Sequence, residues 1–345
     1  MIFMNKQTQT KEGIMRRKIF CLLMSVFFVF LFAGAFSEEG IAQPKQITLK
    51  MVQVFPKGQA NMLVVSPFIE KVHKLSKGEL QIKLLGGPEA IPTFDQWEAL
   101  KSGVVDLNFN VTAYYYRKAV PESMTMWLSK CESPAEERKN GFYDLLNDLH
   151  KEVGVYYLGR GQWSSFYLWP TKKVESPREL SGMKFRSGLL YDSFLKALGA
   201  APVTIPQPEV YTALERKMVD GFGWPMEGVA VSGWPEVTKY CIDHPFYQGD
   251  FLFLANLKSF NNLPKHLQTI LTEAAREFEP EMVEFFKQML KEEREKVVKA
   301  GVNFIKFSPE DAKRYVDLAW QAGYNEAKQI CRPQYFEKIM KMACW

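Results

Sequence analysis

SPRELSGMKFRSGLLYDSFLKALGAAPVTIPQPEVYTALERKMVDGF (176–222) reads as strand, helix, strand, helix in quick succession. Met183–Arg186 is a short strand, Leu189–Leu198 a helix, Ala201–Ile205 a strand and Pro208–Lys217 a second helix. Units of this kind build sheets whose strands run parallel, because each helix carries the chain back to start the next strand.

The same rhythm extends outward. Upstream, Ile47–Val54 reads as a strand, and Ser66-Pro67 offers an N-cap and first-turn proline to an amphipathic helix ending near Gly78. Leu80–Leu85 is a strand, Trp97–Lys101 helical and Val104–Val111 a strand; Ser133-Pro134-Ala135-Glu136 opens a longer helix before a strand at Val153–Leu158. Downstream, Phe251–Leu257 is an apolar strand, and the chain turns mostly helical after Pro264. A helix is expected to begin at Pro280 and run to Lys299, stopped by Gly301, and Ser308-Pro309-Glu310-Asp311 caps another. The pattern specifies an α/β fold with largely parallel sheets.

An internal echo supports duplication. WEALKSGVVD (97–106) and YTALERKMVD (211–220) align without gaps as helix followed by strand. Either two ordinary helix–strand units look alike, or two lobes of similar build aim their strand ends at one cleft. A chain of 345 residues exceeds the usual size of a single core, which also calls for two lobes.

The N-terminus carries an export leader. Arg16, Arg17 and Lys18 precede an apolar run from Ile19 to Phe36, which closes on small residues at Ala33-Gly34-Ala35. The leader is expected to span 1–37, with cleavage after Ala35 or Ser37; the competing reading is a retained anchor. Its basic residues, Lys6, Lys11, Arg16, Arg17 and Lys18 against Glu12, account for most of the net charge of +5. The remainder is nearly neutral, with no basic run for nucleic acid and no long apolar stretch for a membrane. Export permits disulfides among Cys131, Cys241, Cys331 and Cys344. Cys331 and Cys344 are nearest in sequence, but four cysteines allow three pairings, and free buried thiols fit equally well.

Catalytic signatures do not appear. There is no G-x-S-x-G elbow, Walker loop or H-E-x-x-H, the histidines at 73, 150, 244 and 266 are isolated, and no cysteines have metal spacing. Neither a metal nor a cofactor is implied. What stands out is Arg186 within GMKFRSG (182–188), at a strand end, where a guanidinium offers paired donors to a carboxylate. A structural carboxylate or solvent would satisfy it as well. Aromatic residues at 114–116, 163, 166, 167, 169 and 224 gather near strand ends, suited either to core packing or to an apolar ligand pocket. Trp224, in DGFGWPMEG (220–228), has the glycine and proline neighbours of a loop.

Residues 176–222 resemble the signature of the substrate-binding subunits of TRAP transporters, the DctP family: G-x-K-x-R, a helix ending in Leu-Gly-Ala, then a P-E-V-Y-x-A-L segment closing on V-D-G. The resemblance implies a two-lobed, periplasmic-binding-protein-like α/β fold with a ligand cleft between the lobes and a long bridging helix. It implies capture of an organic acid in the periplasm for sodium-driven integral-membrane subunits, with Arg186 holding the ligand carboxylate. On this plan residues 44–162 form one lobe to which 251–280 return, 163–250 form the other with 300–345 packed on it, and 280–300 bridge them.

The departures narrow the cargo. Sialic-acid-binding members carry a second arginine where this chain has Phe166, with Arg160 out of register; an asparagine gives way to Trp224, and an aromatic residue to Gln207. These replacements point away from a polyhydroxylated sugar acid and toward a smaller or more aromatic monocarboxylate. Asn110, Phe94, Tyr115 and Trp163 fall at ligand-facing parts of the family fold and complete the candidate set. Three other readings compete. An ABC-type importer subunit would lack the central signature, a secreted α/β enzyme would need an acid–base set in the cleft, and a sensor ectodomain would need a retained anchor.

Overall fold

A computed structural model describes residues 46–345; the expected leader over 1–37 lies outside the described residues. In chain order the first half contains β1 (Ile47–Gln53), α1 (Val65–Leu75), β2 (Leu80–Gly86), α2 (Gln96–Lys101) and β3 (Leu107–Val111). It continues with α3 (Pro134–Lys139), α4 (Phe142–Glu152) and β4 (Val155–Arg160). The chain then crosses to β5 (Ser165–Pro170), β6 (Lys184–Ser187), α5 (Asp192–Ala197), β7 (Ala201–Thr204), α6 (Val210–Glu215) and β8 (Gly221–Pro225). Two short strands, β9 (Tyr240–Ile242) and β10 (Phe246–Gln248), lead to a second crossing, then β11 (Phe251–Asn256) and α7 (Leu257–Asn261). Helix α8 (Lys265–Lys299), β12 (Asn303–Ile305), α9 (Pro309–Ile330) and α10 (Pro333–Met342) complete it.

Two five-stranded sheets result, in the orders β2-β1-β3-β11-β4 and β7-β6-β8-β5-β10. In each, the fourth strand in that order is antiparallel to the other four, which run parallel to one another. In the first sheet that strand is β11, which returns after the whole second sheet; in the second it is β5, the first strand after the crossing. β3 and β11 are buried along their whole length, as interior strands covered on both faces require. The polar residues of β3 are satisfied internally, since Asn108 Nδ2 donates to Val52 O and Gln96 Oε1.

The sequence echo has a structural counterpart. Asp106 N donates to Lys50 O at 2.9 Å while the Asp106 carboxylate accepts from Lys50 N at 2.8 Å. Asp220 repeats the arrangement on Lys184, at 2.6 and 2.8 Å. Each aspartate thereby ties the start of one strand (β3 or β8) to the neighbouring strand (β1 or β6). The carboxyl ends of these four strands lie at the cleft.

Two expectations need correction. The bridging helix does not start at Pro280; it begins at Lys265 and holds Pro280 in its interior. Proline lacks the N–H that would bond the carbonyl four residues back, at a cost of about 3 kcal/mol. Leu267, Leu271, Ala274, Ala275 and Phe278, buried at helical spacing before it, keep the helix continuous on α1 and β4. Beyond it, Arg294 grips Asp243 with two bonds of 2.9 and 2.6 Å, and Glu293 accepts from Gly228 N, so the far end of α8 docks on the second lobe. At 1.5 Å per residue the helix is roughly 50 Å long, enough to span both.

The C-terminal segment 300–345 is not confined to the second lobe. Helix α9 lies against α5 and β10, but α10 turns back to α4 and the 121–126 turns of the first. A Cys131–Cys344 disulfide fastens that end, and Cys241 and Cys331 stay as buried thiols. The sequence-nearest cysteines are therefore not the bonded pair. Among the described residues no helix is long and apolar enough to cross a membrane.

Candidate ligand-binding site

A cavity whose empty space, open mouth included, is about 380 Å³ lies where the carboxyl ends of β3, β6 and β8 meet the two crossings between the sheets. Its walls are mostly apolar, with Phe55, Val111, Phe166, Leu190, Trp224 and Phe251 prominent. A small set of polar groups converges on it: Arg186, Tyr114, Tyr191, Asn61, Gln162 and Asp250. Strand ends at the junction of two α/β sheets are where such folds expose unpaired groups from several elements at once.

Arg186 is the cation of the site. It sits in β6 with 2% of its surface exposed, and its Nε donates to Ile205 O at 2.8 Å. Its Nη2 is buried without a partner, and it takes part in no ion pair among the described residues. The guanidinium carbon lies 5.3 Å from the Trp224 ring centroid. Gly188 leaves the approach open, since a Cβ there would stand 3.5 and 3.6 Å from the two terminal nitrogens. Burial pushes the Tyr191 hydroxyl up to about 12 and raises Tyr114 as well, with Arg186 opposing both. Both phenols therefore stay neutral at physiological pH.

A second buried arginine shows what a structural role looks like. Arg160, at the end of β4, bonds Glu137 through Nε and Nη2 and also donates to Gly249 O and Met126 O. Burial of a charge costs several kcal/mol unless it is paired and hydrogen-bonded. Arg160 meets that condition within the chain, whereas Arg186 meets it only when an anion enters the cavity.

The anionic side of the cavity is Asp250, at the second crossing. One carboxylate oxygen accepts from both the backbone N and the hydroxyl of Thr112, while Oδ1 is buried without a partner among the described residues. Burial pushes its carboxyl up to about 6, against the opposing pull of Thr112 and Arg160. Gln162, at the first crossing, donates from Nε2 to Ser164 Oγ at 2.9 Å and leaves Oε1 unpartnered. It packs onto Gly249, where a Cβ would come within 2.5 Å of Oε1, so only glycine fits beside it.

Of the residues singled out from the sequence, Arg186, Trp224 and Phe166 line the cavity. Trp224 does so from within β8, almost fully buried, and not from a loop; its indole N–H donates to Glu227 O. The flanking Gly223 and Pro225 are strand residues, and Gly223 is needed because Tyr191 packs against its face. The other candidates lie elsewhere. Tyr115 stacks on Trp97 at 4.0 Å and bonds His150 Nε2, inside the first lobe, while its neighbour Tyr114 faces the cavity. Asn110 is spent on Asn108 Oδ1 and Val111 N. Phe94, 38% exposed, packs edge-on against Tyr114 outside the cavity wall. Trp163 covers the Arg160 guanidinium at 5.1 Å, and Gln207 is buried in a turn before α6. Asp250, Gln162 and Asn61 escaped the sequence reading because isolated polar residues in crossings carry no periodic signal.

Comparison with known proteins places the chain. A protein of Haemophilus influenzae is 34% identical over 130 residues, 36% of this chain and 39% of its own length. A monocarboxylate 2-oxoacid-binding periplasmic protein of Nostoc is 22% identical over 269 residues, 76% of this chain and 74% of that one. The fold matches a Bordetella pertussis extracytoplasmic solute receptor binding pyroglutamic acid with a TM-score of 0.78 at 16% identity, covering 87% of this chain and 100% of the receptor. The family model of the bacterial extracellular solute-binding proteins, family 7, matches residues 51–328, and the chain belongs to that family, DctP.

Proposed function

We propose that this protein captures a small organic acid between its lobes and delivers it to the integral-membrane subunits of a TRAP-type secondary transporter, without catalysing a reaction. The observation that carries this reading is the buried Arg186 guanidinium, whose Nη2 has no partner and opens on an apolar cavity. A carboxylate entering there supplies the missing counter-charge, and each hydrogen bond to a charged group is worth about 1.5–3 kcal/mol. The cavity's limited volume and aromatic walls favour a compact monocarboxylate over a polyhydroxylated sugar acid.

Two relatives support the class by what their names state, a monocarboxylate 2-oxoacid for one and pyroglutamic acid for the other. Export through a cleaved leader and residence in the periplasm follow from the N-terminal pattern and agree with the periplasmic naming of the Nostoc relative. Binding would proceed by closure of the lobes about residues 161–164 and 249–250, with α8 as the third connection. Contacts such as Gln59 Nε2 to Ser232 Oγ at 2.8 Å would then hold the closed form.

Calorimetric titration with a panel of short and cyclic carboxylates tests the reading. Saturable binding of at least one acid is expected, lost in Arg186→Met. Binding that survives this substitution would remove the role of Arg186, and a panel without any binder would remove the function.

A further inference from the structure

The polar groups left unpartnered in the cavity are not all of one kind. Arg186 Nη2 is a donor and awaits a carboxylate, as already argued. Asp250 Oδ1 and Gln162 Oε1 are acceptors, also buried without a partner, and both residues line the same space; Asn61, on the same wall, leaves one donor (Nδ2) and one acceptor (Oδ1) unpartnered and so adds no surplus of either kind. Neither is free to turn away. The other oxygen of Asp250 is occupied by the Thr112 N–H and hydroxyl, and Gln162 is fastened through Nε2 to Ser164 and wedged on Gly249.

Their placement is also distinct. Arg186 stands in β6 of the second sheet, whereas Gln162 and Asp250 stand in the two crossing segments, with Gly249 O receiving a bond from Arg160 beside them. Arg160 is already committed to Glu137, so it does not use up the acceptors facing the cavity. Asp250 and Arg186 share the cavity without pairing with each other. A ligand that offered only a carboxylate would satisfy the guanidinium and still leave the Asp250 and Gln162 acceptors bare, the first of them anionic.

Resting on the carboxylate reading above, we infer that the cargo is a carboxylate bearing a nitrogen-bound hydrogen, such as a cyclic amide acid or an amino acid, whose N–H is received by Asp250 Oδ1 and Gln162 Oε1. Such a molecule is complementary at both ends, with its anion on Arg186 and its donor on the crossing residues. Asp250 and Gln162 then set specificity: they admit an N–H and oppose a bare keto or ether oxygen, whose lone pairs would face a carboxylate. Because both residues lie where the lobes join, a ligand holding them and Arg186 together couples N–H recognition to closure.

Four acids with five-membered rings of nearly equal shape separate the possibilities: pyroglutamate, proline, cyclopentanecarboxylate and tetrahydrofuroate, titrated calorimetrically into the intact protein at neutral pH. The N–H-bearing pyroglutamate or proline should bind at least tenfold more tightly than either ring lacking N–H. In Asp250→Asn the side-chain oxygen is expected to stay on Thr112 and the amide to face the cavity. That variant should lose at least tenfold in affinity for the N–H acids and improve toward tetrahydrofuroate. Should it fail to fold, the wild-type ranking decides alone. Equal binding of all four acids, or a preference for the rings without N–H, overturns the inference while sparing the carboxylate reading. Binding of none of the four overturns the inference, while the wider carboxylate panel decides the reading it rests on.

Discussion

Glu137 clasps Arg160 through two hydrogen bonds of 2.7 Å, and neither side chain has more than 3% of its surface exposed. The pair joins α3 to the end of β4, and the arginine's remaining donors reach Met126 O and Gly249 O. Arg160→Met leaves Glu137 buried without its counter-charge, a loss of about 3–5 kcal/mol. Urea denaturation should show this as a clear drop in midpoint with unchanged slope; a midpoint within error of wild type would contradict the pairing.

Arg186→Met should behave in the opposite way. Among the described residues no carboxylate pairs with this arginine, so removing it relieves a buried charge and leaves the ligand-free melting temperature equal or higher. Carboxylate affinity should fall about 100-fold, equivalent to roughly 2.7 kcal/mol. A variant that unfolds like Arg160→Met would mean that Arg186 is structural.

Gly188→Ala places a methyl group 3.5 Å from one guanidinium nitrogen and 3.6 Å from the other, within ordinary van der Waals contact. The fold tolerates it, but the methyl occupies the space through which a carboxylate meets Arg186. Affinity should drop about tenfold, or roughly 1.4 kcal/mol, with the ligand-free melting temperature unchanged. Undiminished binding would put the carboxylate on another face of the guanidinium.

Burial pushes the Glu227 carboxyl from 4.5 up to about 8, with Glu293 adding to the shift, and both of its oxygens lack partners among the described residues. Between those values the folded chain holds a proton that the unfolded chain has released, so this group's stabilising contribution is greatest at low pH and declines as pH rises. The slope is at most about 1.4 kcal/mol per pH unit. Glu227→Gln removes the titration. Its stability relative to wild type should therefore rise between pH 5 and pH 8 in urea melts, and a constant difference would exclude a neutral Glu227.

Reduction of Cys131–Cys344 frees a loop closed over a sequence separation of 213 residues. The expected loss is about 2–5 kcal/mol, set by the entropy returned to the unfolded chain. Cys344→Ser should reproduce it, and Cys331→Ser should not share the disulfide's sensitivity to reductant, because Cys331 is a free thiol.

The strand–helix rhythm and the paired Val-Asp motifs were legible because they rest on local periodicity and on one backbone-binding carboxylate in each lobe. Proline at 280 misled, since its local cost is outweighed by apolar burial on both sides of it. Tyr115 and Tyr114 differ by one residue, yet the turn over Thr112–Tyr114 sends one into the core and the other to the cavity. No local pattern contains that choice. Asp250 and Gln162 are distant in sequence and become neighbours only when both crossings are in place.

The returning strand β11 carries a consequence for synthesis. β11, which lies between β3 and β4, is made only after the whole second sheet has been translated. Until residue 256 emerges, the first half of the chain presents two open strand edges and cannot close its core. The first sheet is therefore complete only after residue 256, whereas the strands of the second are contiguous over 165–248. If the chain is exported through a membrane in extended form, as proposed above, this topology postpones folding of the first lobe.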